Sequence, residues 1–461
     1  MGNKMWSHRL YTDLIVVIVC VACSGIFTVQ SVAAQRPNVV VMLADDLGAH
    51  DLGIDGSVWH ETPHLDALAH RGVRFTCGYS ACTVCSPSRA GLLTGRHPAR
   101  LHLTDWISGH DRPDAPLSPP NWTKQLVLGE ITIAELLHAS GYATASIGKW
   151  HLGNLPEFGP LKQGFDCNRG GTHRGQPPSY FSPYKIATLS DGPEGEYLSD
   201  REASESVRFI QENQNRPFFL YVPFHAVHSP IQAKPDRVGE FNAKAAGART
   251  QSTPAYAAML SSLDDAVGRI VDALDECKLF DCTLVIFTSD NGGLQGVTSN
   301  APLRVGKGSA YEGGVRVPFI VAGQGISVPG RVCNEPVTGL DIFPTIADVV
   351  GIPLPRENVL DGKSLVPILA RPDAHLEKRD LFWHYPHYHL GGATPYSAIR
   401  RDRWRLIEFF EDDRIELYDI ESDPGESKEC SGREGDTTSA MAQSLVQWRK
   451  EVGAQQPIRK P

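Results

Sequence analysis

The chain reads as an α/β protein: a large, mostly parallel sheet covered by helices on both faces, then a smaller C-terminal α+β domain carrying an antiparallel sheet. Three observations carry this expectation. Short apolar runs rich in β-branched residues alternate with amphipathic stretches, the pattern of strands buried on both faces and joined by helices. Those runs stop abruptly at polar residues, as at Asp45-Asp46 and Asp290-Asn291, and open α/β sheets bind ligands beyond strand C-termini. Past about residue 370 the pattern changes to alternating stretches joined by the acidic turn Glu411-Asp412-Asp413, as expected of antiparallel strands.

Residues 1–34 read as an export signal. Lys4, His8 and Arg9 precede an apolar run from Leu14 to Phe27, and Val32-Ala33-Ala34 offers small residues for cleavage. The run is short for a membrane span, so a periplasmic or extracellular protein without stable membrane insertion is expected, from a bacterial rather than a eukaryotic host. Residues 35–369 form the large domain. Strands are expected at 39–44, ending at Asp45-Asp46, and at 143–147, delivering Gly148-Lys149-Trp150-His151. Two more are expected at 217–222, ending before His225 and His228, and at 283–288, ending at Asp290-Asn291. Helices are expected at 131–138 and 256–274. Segments 100–130 and 165–210, rich in Gly, Pro, Asp and Ser, read as long loops that shape a pocket mouth. Residues 370–461 form the smaller domain, with strands at 397–410 and 414–420 and a helix at 439–452.

The composition excludes some partners. A formal net charge of −9 argues against nucleic acid, which needs a basic footprint. It leaves room for an anionic substrate, because a metal and a few local cations make one pocket positive in an acidic protein. Of ten cysteines, Cys20 and Cys23 fall in the export segment; pairing among the others cannot be assigned from sequence.

Asp45, Asp46, Asp290 and Asn291 form an all-oxygen set suited to a hard divalent cation, calcium before magnesium. Paired carboxylates at strand ends repel one another, and a metal relieves that repulsion. The most specific segment is Cys85-Ser86-Pro87-Ser88-Arg89, continuing Ala90-Gly91-Leu92-Leu93-Thr94-Gly95-Arg96. It resembles the maturation and active-site motif of type I sulfatases, the formylglycine-dependent enzymes of the alkaline phosphatase superfamily. Two further blocks extend the likeness over nearly the whole mature chain: Gly148-Lys149-Trp150-His151-Leu152-Gly153, and the stretch from Gly306-Lys307-Gly308 to Gly314-Val315-Arg316.

The resemblance implies hydrolysis of sulfate monoesters through a covalent formylglycine-sulfate intermediate, with release of inorganic sulfate. It implies that a separate maturation enzyme converts Cys85 to formylglycine. One divalent cation, Ca2+, would be held by Asp45, Asp46, the converted Cys85, Asp290 and Asn291. Arg89, Lys149, His151, His228 and Lys307 map onto anion-holding and proton-transfer positions. Many relatives have proline before the histidine where this chain has Val227, which leaves His225 beside His228; the following Ser229-Pro230 favours His228. In this scheme one diol hydroxyl, activated by the metal and Asp290, attacks sulfur. His228 or Lys307 protonates the leaving oxygen, and His151 deprotonates the second hydroxyl.

The substrate expected is a sulfated mono- or oligosaccharide, as for carbohydrate sulfatases of the arylsulfatase and N-acetylgalactosamine-sulfatase kind. The run Trp383-His384-Tyr385-Pro386-His387-Tyr388-His389 and the segment Leu103-Thr104-Asp105-Trp106-Ile107 offer aromatic walls for a sugar. His384, His387 and Arg400 are the candidate sugar contacts. Two alternatives stay open at this point: a phosphonate or phosphate diester hydrolase of the same superfamily, and a catalytically silent exported protein that binds sulfated glycans.

Overall fold

An eight-stranded sheet runs through the large domain, in the order Arg331–Cys333, Gly72–Phe75, Phe319–Gly323, Thr283–Ser289, Asn38–Ala44, Phe218–Pro223, Ala143–Ile147, Cys167–Arg169. The computed structural model describes residues 36–110, 112–245, 251–354 and 359–460; the export segment read at 1–34 lies outside them. Only Phe319–Gly323 runs antiparallel to its neighbours, so the sheet is mostly parallel as expected.

The apolar runs are continuous because the central strands are buried on both sides. Val40 and Met42 of Asn38–Ala44 point into one core, with the helices Leu198–Asn213 and Pro254–Glu276. Val39, Val41 and Leu43 point into the other, with Cys85–Thr94, Ile133–Ala139 and Ile342–Val350. The period-two alternation of the strand thus feeds two separate cores.

Register fixes the position of the polar strand ends. Asn38–Ala44 pairs in parallel with Thr283–Ser289, Ala44 opposite Ser289. The residues that follow each strand, Asp45-Asp46 and Asp290-Asn291, therefore emerge side by side.

The C-terminal region forms a four-stranded antiparallel sheet in the order Leu381–Tyr385, Tyr396–Arg401, Trp404–Phe409, Ile415–Asp419. One face packs under the helix Gly435–Glu451 through Ile399, Leu406, Leu417 and Trp448. The other, with Trp383, Tyr385, Tyr396 and Ile407, packs on Tyr79, Val84 and Val315 of the large domain. The stretch expected as one strand over 397–410 is a hairpin, turned at Asp402, whose φ is +50°. Segment 165–210 is not all loop: the helix Leu198–Asn213 begins inside it. All eight cysteines of the described residues are free thiols. Among the described residues no helix is long and apolar enough to cross a membrane.

Candidate active site

Asp45, Asp46, Asp290 and Asn291 converge at the strand ends, all four buried. Asp46 takes a left-handed φ of +62°, and its N–H donates to Asp290 Oδ1 at 3.3 Å. Non-glycine residues in that region are costly and concentrate at functional sites. Cys85 opens the helix Cys85–Thr94, and a helix N-terminus favours a negative charge. Its Sγ lies 3.5 Å from Asp45 Oδ1 and 3.3 Å from Lys307 Nζ.

The carboxylates are met by cations. Lys149 Nζ is 2.5 Å from Asp45 Oδ2, and Lys307 Nζ is 2.6 Å from Asp46 Oδ1. Arg89 Nη2 sits 2.8 Å from Asp290 and 3.3 Å from Asp45. Lys149 reaches inward because Gly148 lets the chain turn: its φ is +125°, and a Cβ there would run into the Pro223 carbonyl.

These charges set the ionisation of the site. Burial opposes a thiolate at Cys85, but Lys149 and Lys307 outweigh it and bring the pKa down to about 6. Burial likewise works against the Asp46 carboxylate, yet Lys307 and His228 hold it well below the ordinary range. Asp290 moves up, because burial and the neighbouring Asp45 outweigh Arg89. Burial would discharge Lys307, but Asp46 and Cys85 keep it cationic and raise it above its usual value.

The two histidines at the site differ in a way that their bonds explain. His151, itself at a φ of +58°, gives its Nε2 proton to the Ile107 carbonyl. Its Nδ1 is buried with no hydrogen-bond partner. Burial and then Lys149 push its pKa well down, so it presents a free lone pair. His228 donates from Nδ1 to the Ser229 carbonyl at 2.8 Å, which leaves Nε2 facing Asp46 Oδ2 at 3.7 Å. Burial and Lys307 disfavour its cation, but Asp46 and Asp45 prevail and raise its pKa. His225, the other histidine of that segment, has Nδ1 2.6 Å from Glu202 Oε1 and does not line the cavity over Cys85.

That cavity is about 650 Å³ and is bordered by Asp46, Cys85, His151, His228 and Lys307. Arg89, Lys149, Asp45, Asp290 and Asn291 lie beneath its floor, at the distances above. Opposite them stand Trp106, Ile107 and His389. The Ile107 N–H donates to Ser86 Oγ at 3.0 Å, and Ser86 Oγ donates to the His151 carbonyl at 2.9 Å. This wall is thus stitched to the residue after Cys85.

The structure does not bring His384, His387 or Arg400 to this cavity. His384 is buried, 2.7 Å from both Ser397 Oγ and the Gln455 carbonyl. His387 lies 2.8 Å from Thr104 Oγ1, and Arg400 is bonded to the Tyr79 hydroxyl. His384 and Arg400 lie on strands of the second sheet, and His387 packs just past it against Trp122. His389, from the same run, reaches the cavity instead. Its Nδ1 accepts from the Gly391 N–H at 3.1 Å, so its proton is on Nε2. The ring lies against Gly308, where a Cβ would strike it.

A divalent cation fits these residues. The ligand atoms of Asp45, Asp46, Cys85 and His228 lie within 4.8 Å of one another. Asn291 donates from Nδ2 to Asp46 Oδ1 at 2.8 Å, while its Oδ1 is buried without a hydrogen-bond partner. An orphaned amide oxygen beside three carboxylates is the donor set of a hard cation.

Comparison with known proteins agrees with this geometry. The family model described as sulfatase matches residues 37–352, and that described as N-sulphoglucosamine sulphohydrolase, C-terminal, matches residues 305–451. A sulfatase of Formosa agariphila is 31% identical over 468 residues, covering 86% of this chain and 84% of its own. The N-acetylgalactosamine-6-sulfatase of Sus scrofa is 34% identical over 386 residues, covering 76% and 69%. Among solved structures, that of Ps i-CgsB in complex with k-i-k-neocarrahexaose superposes with a TM-score of 0.77 at 30% identity, over 92% of this chain and 95% of the other. The strand-end carboxylates, the cysteine motif and these matches over most of the chain agree: the protein belongs to the sulfatase family.

Proposed function

We propose that the chain hydrolyses sulfate monoesters on a sulfated saccharide and releases inorganic sulfate. The observation that carries this reading is Cys85, set at a helix N-terminus between Lys307 and the buried carboxylates and open to a cavity. Asp45, Asp46, Asp290 and Asn291 would hold one divalent cation, Ca2+ by the hardness of the set, which supplies Lewis-acid polarisation of a sulfate oxygen. Conversion of Cys85 to formylglycine by a maturation enzyme supplies a hydrated aldehyde with one hydroxyl for attack and another for release.

The remaining work falls to the other side chains. A sulfate monoester carries one negative charge, and cleavage concentrates charge on its bridging oxygen. Lys149, Lys307 and Arg89 form the cationic surround that holds the sulfonyl oxygens. Lys307 grips its proton tightly between Asp46 and Cys85, which makes His228 the better donor to the departing alcohol, from Nε2. His151 is the complementary base: a neutral ring with Nε2 anchored on Ile107 and Nδ1 free to accept a proton. Residues 1–34 would direct this enzyme to the periplasm or beyond.

A saccharide is favoured over other alcohols by Trp106 at the cavity wall and the Nε2–H of His389 opposite. The relatives named for N-acetylgalactosamine 6-sulfate and solved with a neocarrahexaose support the same class. The test is sulfate release from a panel of sulfated mono- and disaccharides, beside mass spectrometry of the Cys85 peptide from the native host. An aldehyde at Cys85 with sulfate released is the expected result. A fully alkylatable thiol and no sulfate from any sugar would sink the reading.

A further inference from the structure

The cavity over Cys85 continues past its own rim. Trp106, Ile107, Gly175 and Gln176 border it and also border a second cavity of about 450 Å³. Four shared residues make the two one cleft, and each part is within the size of small-molecule sites, about 300–1,000 Å³.

The second part inverts the sign of the protein. The chain carries a net charge of −9, yet the cavity is lined by Lys124, His173 and Arg174 and by no carboxylate. Lys124 rests its ammonium 5.3 Å from the centroid of Trp122. Among the described residues neither Lys124 nor Arg174 enters an ion pair, whereas arginines such as Arg96 and Arg100 are matched to Glu130 and Asp361. Unpaired cations in a concave wall are available to an incoming anion without breaking a bond inside the protein. Between them the wall offers the amides of Gln125 and Asn154 and the indole of Trp106, groups that suit sugar hydroxyls and the apolar face of a ring.

Further along the same loop a third cavity of about 550 Å³ shares His173, Arg174 and Gln176, and there both Glu157 and Lys185 join the lining.

We propose that this second cavity is a subsite for an anionic group, a sulfate or a carboxylate, on the sugar next to the one being desulfated. The preferred substrate is then a short oligosaccharide with an anion on the neighbouring ring, in place of an isolated sulfated monosaccharide. This rests on the sulfatase reading above and names the substrate class of that site.

The experiment uses three disaccharides with the same sulfated ring and a neighbour that is neutral, sulfated or a uronate. Their binding to the full chain with Cys85→Ala, which removes the attacking group, is measured by calorimetry at two salt concentrations. Each anionic neighbour is expected to bind about tenfold more tightly than the neutral one, the scale of one charge-assisted contact, with the gain shrinking as salt rises. The two anionic arms separate sulfate from carboxylate recognition. Adding K124A and R174A is expected to bring the ratio to about one; both positions are exposed, and the melting temperature checks the fold. Equal affinity for all three disaccharides, or a preference that survives the double substitution, overturns the proposal. Sulfate release by the unmutated chain from the neutral-neighbour disaccharide tests the catalytic reading separately. A binding preference without any release would keep the subsite and remove the sulfatase activity.

Discussion

At the ends of the central strands and under the second sheet lie two buried ionic clusters, and of this pair the first borders the cavity over Cys85 while the second does not. At the strand ends, Asp45, Asp46 and Asp290 face Arg89, Lys149 and Lys307, and three polar atoms have no hydrogen-bond partner: Arg89 Nη2, which is still ion-paired with Asp290, and His151 Nδ1 and Asn291 Oδ1, which have neither. Under the second sheet, Glu312 accepts from Tyr79 and Arg316 at 2.8 Å, and its N–H donates to Glu426 at 2.7 Å. Arg405 lies 3.2 Å from Glu312 and 3.4 Å from Glu426, over the face of Trp383. In this second cluster the atoms left without a hydrogen bond, Arg405 Nε and Glu426 Oε1, are each other's ion partner. Charge and burial alone do not mark a reactive site. Unspent valence facing a cavity does.

The largest expected effect separates the two directly. Cys85→Ala removes the nucleophile and is expected to lower kcat/KM for sulfate release by about 10⁴-fold or more, as loss of a nucleophile does elsewhere. The urea midpoint should move little, because the change removes a single sulfur atom that borders an open cavity. Arg405→Met makes the opposite change: it leaves Glu312 and Glu426 buried without their shared cation, at a cost of about 3–5 kcal/mol of stability. Activity per folded molecule should survive. If kcat/KM falls further than the folded fraction does, the two clusters are coupled and the distinction between them fails.

His151→Gln sharpens the picture inside the reactive cluster. Glutamine keeps a donor for the Ile107 carbonyl but offers no imidazole base at Nδ1. The expected loss is about 10²–10³-fold in kcat, the usual worth of a positioned base, with little change in melting temperature. A large stability loss with normal turnover would make His151 a packing residue.

How much of this was legible in the sequence differs between the same two regions. The convergence of Asp45, Asp46, Asp290 and Asn291 beside Cys85 was legible because these residues sit at strand ends and in contiguous motifs, where local order determines position. The second sheet was harder. His384 lies within the strand Leu381–Tyr385, and its ring packs by Trp448 on the helix side, while Trp383 and Tyr385 face the large domain. A period of two decides which face a side chain takes, and nothing local reveals which face meets the cavity. His389 reaches the cavity only because the chain turns back past Gly391-Gly392 and Gly308 leaves room for the ring. The helix Leu198–Asn213 hid in a segment of polar composition because only one of its faces is buried. The sequence shows the aromatic ring of the Trp106–Ile107 wall, but the wall's tie to His151 and Ser86 is tertiary.

Asp105 lies between the two regions and gives the smallest effect. Its Oδ1 accepts from the Tyr385 hydroxyl at 2.7 Å and from the Trp106 N–H at 2.9 Å, so it ties the second sheet to the wall of the cleft. Burial pushes its pKa up to about 7, from an unfolded value near 3.9. A carboxyl raised on folding stabilises most while both states hold the proton, below about pH 4, and that contribution drains away as the pH rises through about 7. Between pH 5 and pH 7 the loss amounts to about 2 kcal/mol. Asp105→Asn keeps an acceptor for Tyr385 and Trp106 but cannot ionise, so its unfolding free energy should fall less over this range. Denaturant titrations of both proteins at pH 5, 6 and 7 measure the difference. Parallel curves would mean that Asp105 stays charged in the fold, and that the join between the second sheet and the cleft wall tolerates a buried carboxylate at no cost.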